Sequence, residues 1–73
     1  MDAIQLHDEI LTAREFEVLK LIARGCKNRE IALALEIEER TVRFHVGSIL
    51  YKLKVKSRTE AVCNAFRKGW IRD

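Results

Sequence analysis

The side chains best suited to act on a partner are gathered between residues 40 and 58: Arg40, Arg43, Phe44 and Tyr51, then Lys52, Lys54, Lys56 and Arg58. Arginine offers a rigid fork of donors that can bridge two acceptors on one guanine edge. Lysine offers a mobile point charge suited to phosphate. Charge is divided in the same sense. Residues 1–39 carry five basic and nine acidic groups, a net of −4, whereas residues 40–72 carry nine basic groups against Glu60 alone, a net of +8. Asp73 brings the whole chain to +3. A positive half on a small domain is the footprint of a polyanion partner, although a solvated basic face has the same composition.

Other chemistries find less support. His7 and His45 stand far apart, and neither has a Cys, Ser or carboxylate at a spacing that suggests a nucleophile and its base. Cys26 and Cys63 lie 37 positions apart with no C-x-x-C partner, which disfavours a metal site and a disulfide framework. The expectation is no catalytic residue, cofactor, metal or small-molecule ligand, with two reduced thiols in a cytoplasmic protein. No apolar run approaches membrane-spanning length, and Met1–Glu9 lacks the basic-then-apolar order of an export signal.

The elements that carry these residues are helical. With 73 residues, no Pro and three Gly, the chain suits one small all-α domain with short connections. Thr12 with Glu15 is a capping-box pattern that opens a first helix running to about Arg24, with Leu11, Val18, Leu19 and Ile22 inward and Gly25 as its left-handed end. A second helix covers roughly 28–35, with Asn28 as its cap and Ile31, Ala32 and Leu35 inward. Glu36 and Ile37 leave room only for a sharp turn into a third helix, about Glu39 to Leu53. Ser57 with Glu60 is a second capping box, opening a fourth helix that ends near Lys68 and Gly69. Residues 1–10 read as a tail or linker remnant, and residues 11–73 as the domain.

On a wheel of about 100° per residue, Val42, Val46, Ile49, Leu50 and Leu53 form the core stripe of the third helix. Arg40, Arg43, Phe44, Gly47 and Tyr51 face nearly opposite, with Thr41, His45, Ser48 and Lys52 between. A helix with its back in a core and such an outer face fits the major groove of double-stranded DNA, which admits one helix. Phe44 either contacts a thymine methyl or sugar wall there or packs on the second helix. Gly47, costly in mid-helix by about 1 kcal/mol relative to Ala, marks either close approach to a base edge or a tolerant surface position. His45 reads as a half-buried neighbour of the second helix.

The run Leu11-Thr12-Ala13-Arg14-Glu15, then Val18-Leu19, Gly25, Asn28-Arg29-Glu30-Ile31-Ala32, Leu35, Thr41-Val42-Arg43, His45, Ile49, Lys52-Leu53, Val55, Ser57-Arg58 and Ala61-Val62 resembles the LuxR-type helix-turn-helix DNA-binding domain over about residues 11–71. The resemblance implies a four-helix fold in which the third helix reads the major groove and the fourth pairs two protomers. It implies base-reading positions at Arg43, Phe44 and Gly47, joined by Arg40 and Tyr51 from the same face. It implies phosphate contacts at Asn28, Thr41, Lys54, Lys56 and Arg58, to which Arg29 and Lys52 are added. Three departures stand out: Glu38 where a Ser or Thr usually caps the recognition helix, Lys27 where a small cap is usual, and Gly47 where a Lys or other polar residue often reaches a base.

On the fourth helix, Ala61, Val62 and Ala65 face inward, leaving Thr59, Cys63, Phe66 and Trp70 on an adjacent stripe, where Phe66 either completes a small core with Trp70 or joins Thr59 and Cys63 as a strip for a homodimer on DNA. Trp70 reads as part of the core. The function implied is sequence-specific DNA binding in bacterial transcription regulation, as a stand-alone regulator or the effector half of a longer one, with RNA polymerase as a further partner. Two rivals are the promoter-reading region of a sigma factor and a helical protein-interaction module. The turn Lys52–Arg58 and the fourth helix argue against the first. The acids Glu36, Glu38 and Glu39 are the best support for the second.

Overall fold

Four helices make up the protein in the computed structural model, which describes residues 10–72: α1 Ala13–Ala23, α2 Asn28–Leu35, α3 Glu39–Leu53 and α4 Arg58–Arg67. No strand occurs among the described residues. Nine of the ten residues expected as a tail, with His7 among them, and Asp73 lie outside the described residues. The all-α, four-helix expectation holds.

Three of the four helices start where a side-chain oxygen satisfies a free amide. The Thr12 hydroxyl accepts from the Glu15 N–H at 3.1 Å, and the Glu15 carboxylate accepts from the Thr12 N–H at 2.9 Å, the complete capping box expected there. The start of α2 corrects an expectation. Lys27, not Asn28, occupies the cap position, and its N–H donates to Glu30 Oε1 at 2.7 Å. Lysine has no side-chain acceptor, so half of a box serves, and the Asn28 amide is freed for another bond. Ser57 caps α4 by accepting from the Glu60 N–H at 3.1 Å, but Glu60 turns one residue further back, to the Lys56 N–H at 2.7 Å. Glu38 precedes α3 without any side-chain capping bond.

All four helices end alike. The amides of Gly25 and Cys26 donate to Ile22 and Leu21, those of Glu36 and Ile37 to Leu33 and Ala32, those of Lys54 and Val55 to Tyr51 and Leu50, and those of Gly69 and Trp70 to Phe66 and Ala65. This paired pattern is the Schellman motif, in which the residue past the helix takes positive φ and the next one folds back onto the core. Gly25 and Gly69 adopt that φ freely, whereas Glu36 (φ 57°) and Lys54 (φ 58°) adopt it with a Cβ in place. Cys26, Ile37, Val55 and Trp70, the residues folded back, all pack against the core.

That core is built from Leu11, Val18, Leu19, Ile31, Ala32, Val42, Ile49, Ala61, Ala65 and Ile71. Each helix contributes, and α3 touches the other three. Burying one large aliphatic side chain contributes about 1.5–3 kcal/mol, so α3 is held by Val42 and Ile49 rather than by its poorly capped start. The half-buried residues Val46, Leu50 and Leu53 complete its inner stripe, as expected. Ile71, beyond the expected end of α4, closes the core from below.

Candidate nucleic-acid interface

With its back anchored, α3 presents the remaining face to solvent along its 15 residues, a length of about 22 Å. Arg40, Arg43, Phe44, Gly47 and Tyr51 are all exposed on it. Phe44 is 72% exposed and Tyr51 85%, so the greater part of each side chain is uncovered by the rest of the protein. The Phe44 ring stands tilted beside His45, ring centroids 6.0 Å apart. His45 is half-buried as expected, and its buried Nδ1 has no protein hydrogen-bond partner. Around Gly47 an added Cβ would meet nothing within 4 Å.

Both arginines already have acidic neighbours. Arg40 Nε lies 3.5 Å from Glu38, and Arg43 Nη1 lies 3.8 Å from Glu39, one turn back. All four side chains are well exposed, and ion pairs of this kind contribute at most about 1 kcal/mol. Either guanidinium can therefore exchange its carboxylate for a base edge or phosphate at small cost.

The residues expected at phosphates divide into three groups. Arg29, Lys54 and Lys56 are exposed, and Thr41 is half-buried in the first turn of α3. Asn28 and Arg58 are brought together from different helices: Arg58 Nη2 donates to Asn28 Oδ1 at 2.6 Å, and both side chains are half-buried. This bond ties the start of α4 to the start of α2. Lys52 behaves differently. Its ammonium donates to Glu15 at 2.8 Å, so its charge is already paired within the protein.

Glu15 is the residue whose second role the sequence reading missed. It is 5% exposed, and one carboxylate serves the Thr12 cap, the Ser48 hydroxyl at 2.6 Å and the Lys52 ammonium. Burial alone would raise its pKa. The hydrogen bonds from Lys52, Ser48 and the Thr12 N–H, with the positive charge of Lys52, outweigh burial and hold it below the usual 4.5. The network fixes α3 against α1 and so sets the angle of the exposed face. A signal was available: Glu15 falls three, four and seven residues before Val18, Leu19 and Ile22, a charge in line with the buried stripe.

On α4, Ala61 and Ala65 are fully buried, and Thr59, Cys63 and Phe66 stand outside, Phe66 at 38%. Phe66 lines a shallow cleft of about 320 Å³ with Lys20, Arg24, Trp70 and Arg72. Cys26 and Cys63 are free thiols that line one cleft of about 390 Å³ between the end of α1 and α4.

Among the described residues, no three His, Cys, Asp or Glu side chains converge as metal ligands would, and no helix is long and apolar enough to cross a membrane. Comparison with known proteins gives a consistent picture. Residues 9–65 match the family model described as bacterial regulatory proteins, luxR family. The chain is 52% identical over 63 residues to the response regulator VraR of Staphylococcus aureus, and 49% identical over 63 residues to the transcriptional regulatory protein DegU of Brevibacillus brevis. Those matches cover 86% of this chain but 30% and 27% of the relatives, so the chain spans less than a third of their length. In three dimensions it is similar to the transcription factor GerE, with a TM-score of 0.81 and 35% identity over 86% of this chain and 94% of that one. It is also similar to the response regulator ChrA of a heme-sensing two-component system, with a TM-score of 0.79 and 41% identity over 84% of this chain and 30% of that one. The four-helix fold is thus shared with solved relatives, and the chain belongs to the luxR family of bacterial regulatory proteins.

Proposed function

We propose that this domain binds double-stranded DNA in a sequence-specific manner and serves as the DNA-reading unit of a bacterial transcription regulator. The observation that carries the reading is the outward face of α3, where Arg40, Arg43, Phe44 and Tyr51 stand in solvent on a helix whose other side is fixed in the core. Side chains this exposed contribute little to folding, and their types suit base edges in the major groove. Arg43 and Arg40 read bases. Asn28, Arg29, Thr41, Lys54, Lys56 and Arg58 hold phosphates along both sides of the groove.

Two copies bind together, paired through Thr59, Cys63 and Phe66 of α4. A two-fold interface needs only one self-complementary patch, and half-sites about one helical turn apart then present both recognition helices to one face of the duplex. Similarity to the transcriptional regulatory protein DegU and to the response regulators VraR and ChrA supports a place for this domain as the effector part of a signal-responsive regulator; its place is then the bacterial cytoplasm and its further partner RNA polymerase.

The test is a salt titration of binding to a random duplex and to a duplex recovered from a random pool. Affinity for both should fall steeply as salt rises, with the recovered duplex bound at least about a thousand-fold more tightly. Binding that is weak and independent of salt on every duplex would instead favour a protein-interaction module.

A further inference from the structure

Phe44, Gly47 and Tyr51 follow one another at steps of three and four, so they share one ridge of α3. Two aromatic rings, 72% and 85% exposed, flank a position with no side chain at all. The free protein offers no packing reason for the glycine, because a Cβ there would meet nothing within 4 Å. Glycine inside a helix is also less stable than alanine, so the gap costs stability that nothing within the protein returns.

A ridge of ring, gap and ring is an apolar notch on an otherwise cationic face. Among the four base pairs, the major groove shows one apolar group, the C5-methyl of thymine. We infer that Phe44, Gly47 and Tyr51 form a receptor for a thymine methyl, with the gap at Gly47 letting the helix backbone come close to the base edge. Arg43 stands one helical turn before Gly47, four residues away on the same side of α3, so a guanine read by Arg43 lies beside the thymine in each half-site. The span from residue 44 to 51, about 10 Å along the helix axis, covers about three base-pair steps. The inference rests on the DNA-binding reading and adds the base that the apolar part of the face selects.

The whole chain is used to recover duplexes from a random pool, and each thymine of the recovered duplex is then replaced singly by deoxyuridine, which lacks only the methyl. At one position per half-site the unaltered protein should lose about four-fold in affinity, the value of one buried methyl group. Phe44→Ala, at an exposed position, leaves the fold intact and should abolish that difference. Gly47→Ala should raise the melting midpoint by about 4–8 °C while losing about ten-fold on the recovered duplex and little on random DNA. Uracil replacement without effect at every position, or Gly47→Ala binding the recovered duplex as before, overturns the notch while leaving DNA binding intact. Failure to recover any duplex, with no salt-dependent binding, overturns the DNA reading and the notch with it.

Discussion

Arg43 carries the sharpest test of how single side chains divide the work. Its guanidinium is exposed and held only loosely by Glu39 at 3.8 Å, so Arg43→Ala leaves the fold unaffected. Titration with a recovered duplex should show a loss of about 1–3 kcal/mol, and titration with random DNA a much smaller one. Equal losses on both would reassign Arg43 to a phosphate. Glu15 is the opposite case, a buried residue that braces the helix instead of standing on its outer face. Its carboxyl titrates below the ordinary 4.5 in the folded protein, so the unfolded chain binds a proton more readily. Stability from Glu15 is therefore complete above the unfolded value and is lost as pH falls through the folded one. Urea denaturation should show the protein weaker at about pH 3 than at about pH 7, and Glu15→Gln should flatten that difference. An unchanged acid dependence in Glu15→Gln would place the acid sensitivity elsewhere.

The ends of the helices are where local chemistry and packing compete. Glu36 takes positive φ although glycine is the residue suited to that conformation, because Ile37 must fold back onto Ala32 for α3 to cross α2. Relieving that conflict with Glu36→Gly should raise stability by about 1 kcal/mol, read as a higher urea midpoint with an unchanged slope. At the other end of α3, Lys54 and Lys56 lie in the exposed turn into α4, and Arg58 follows them, tethered to Asn28. Lys54→Ala and Lys56→Ala should each weaken recovered and random DNA alike and flatten the salt dependence by about one unit. Arg58→Ala should in addition lower the melting midpoint, since it releases the bond between α4 and α2. A salt slope unchanged in the Lys54, Lys56 pair would remove this turn from the interface.

Taken as a body of about 33 × 24 × 24 Å, the domain offers one recognition helix, and the proposed reading of two half-sites a helical turn apart therefore calls for two copies. The exposed strip of α4 consists of Thr59, Cys63 and Phe66 only, so the pairing proposed through it requires DNA to hold two copies close together. Phe66→Glu sets like charges across the two-fold axis. It should abolish cooperative binding to an inverted repeat and spare a single half-site, with sedimentation of the complexes reporting one or two protomers. Cooperative binding retained by Phe66→Glu would move the dimer surface elsewhere. A mutant that loses its cooperative melting transition would show that the ring belongs to the core with Trp70.

Periodicity and capping chemistry are local, and from them the four helices, their bounds within a residue or two, the core stripes of α1 and α3 and the left-handed turn at Gly25 could be read directly. The outer face of α3 was legible for the same reason: a stripe committed to the core leaves the opposite arc to solvent whatever the neighbours are. What depended on residues distant in the chain could not be read. The bond from Arg58 to Asn28 spans 30 positions, and it engages the side chain that was expected to cap α2. The carboxylate of Glu15 meets Ser48 and Lys52 across 33 and 37 positions, and it pairs the Lys52 ammonium within the protein. Positive φ at Glu36 and Lys54 had no signature either, because the packing of Ile37 and Val55 imposes it against local preference. Only the folded chain decides such pairings, since one side chain can satisfy several partners and burial chooses among them.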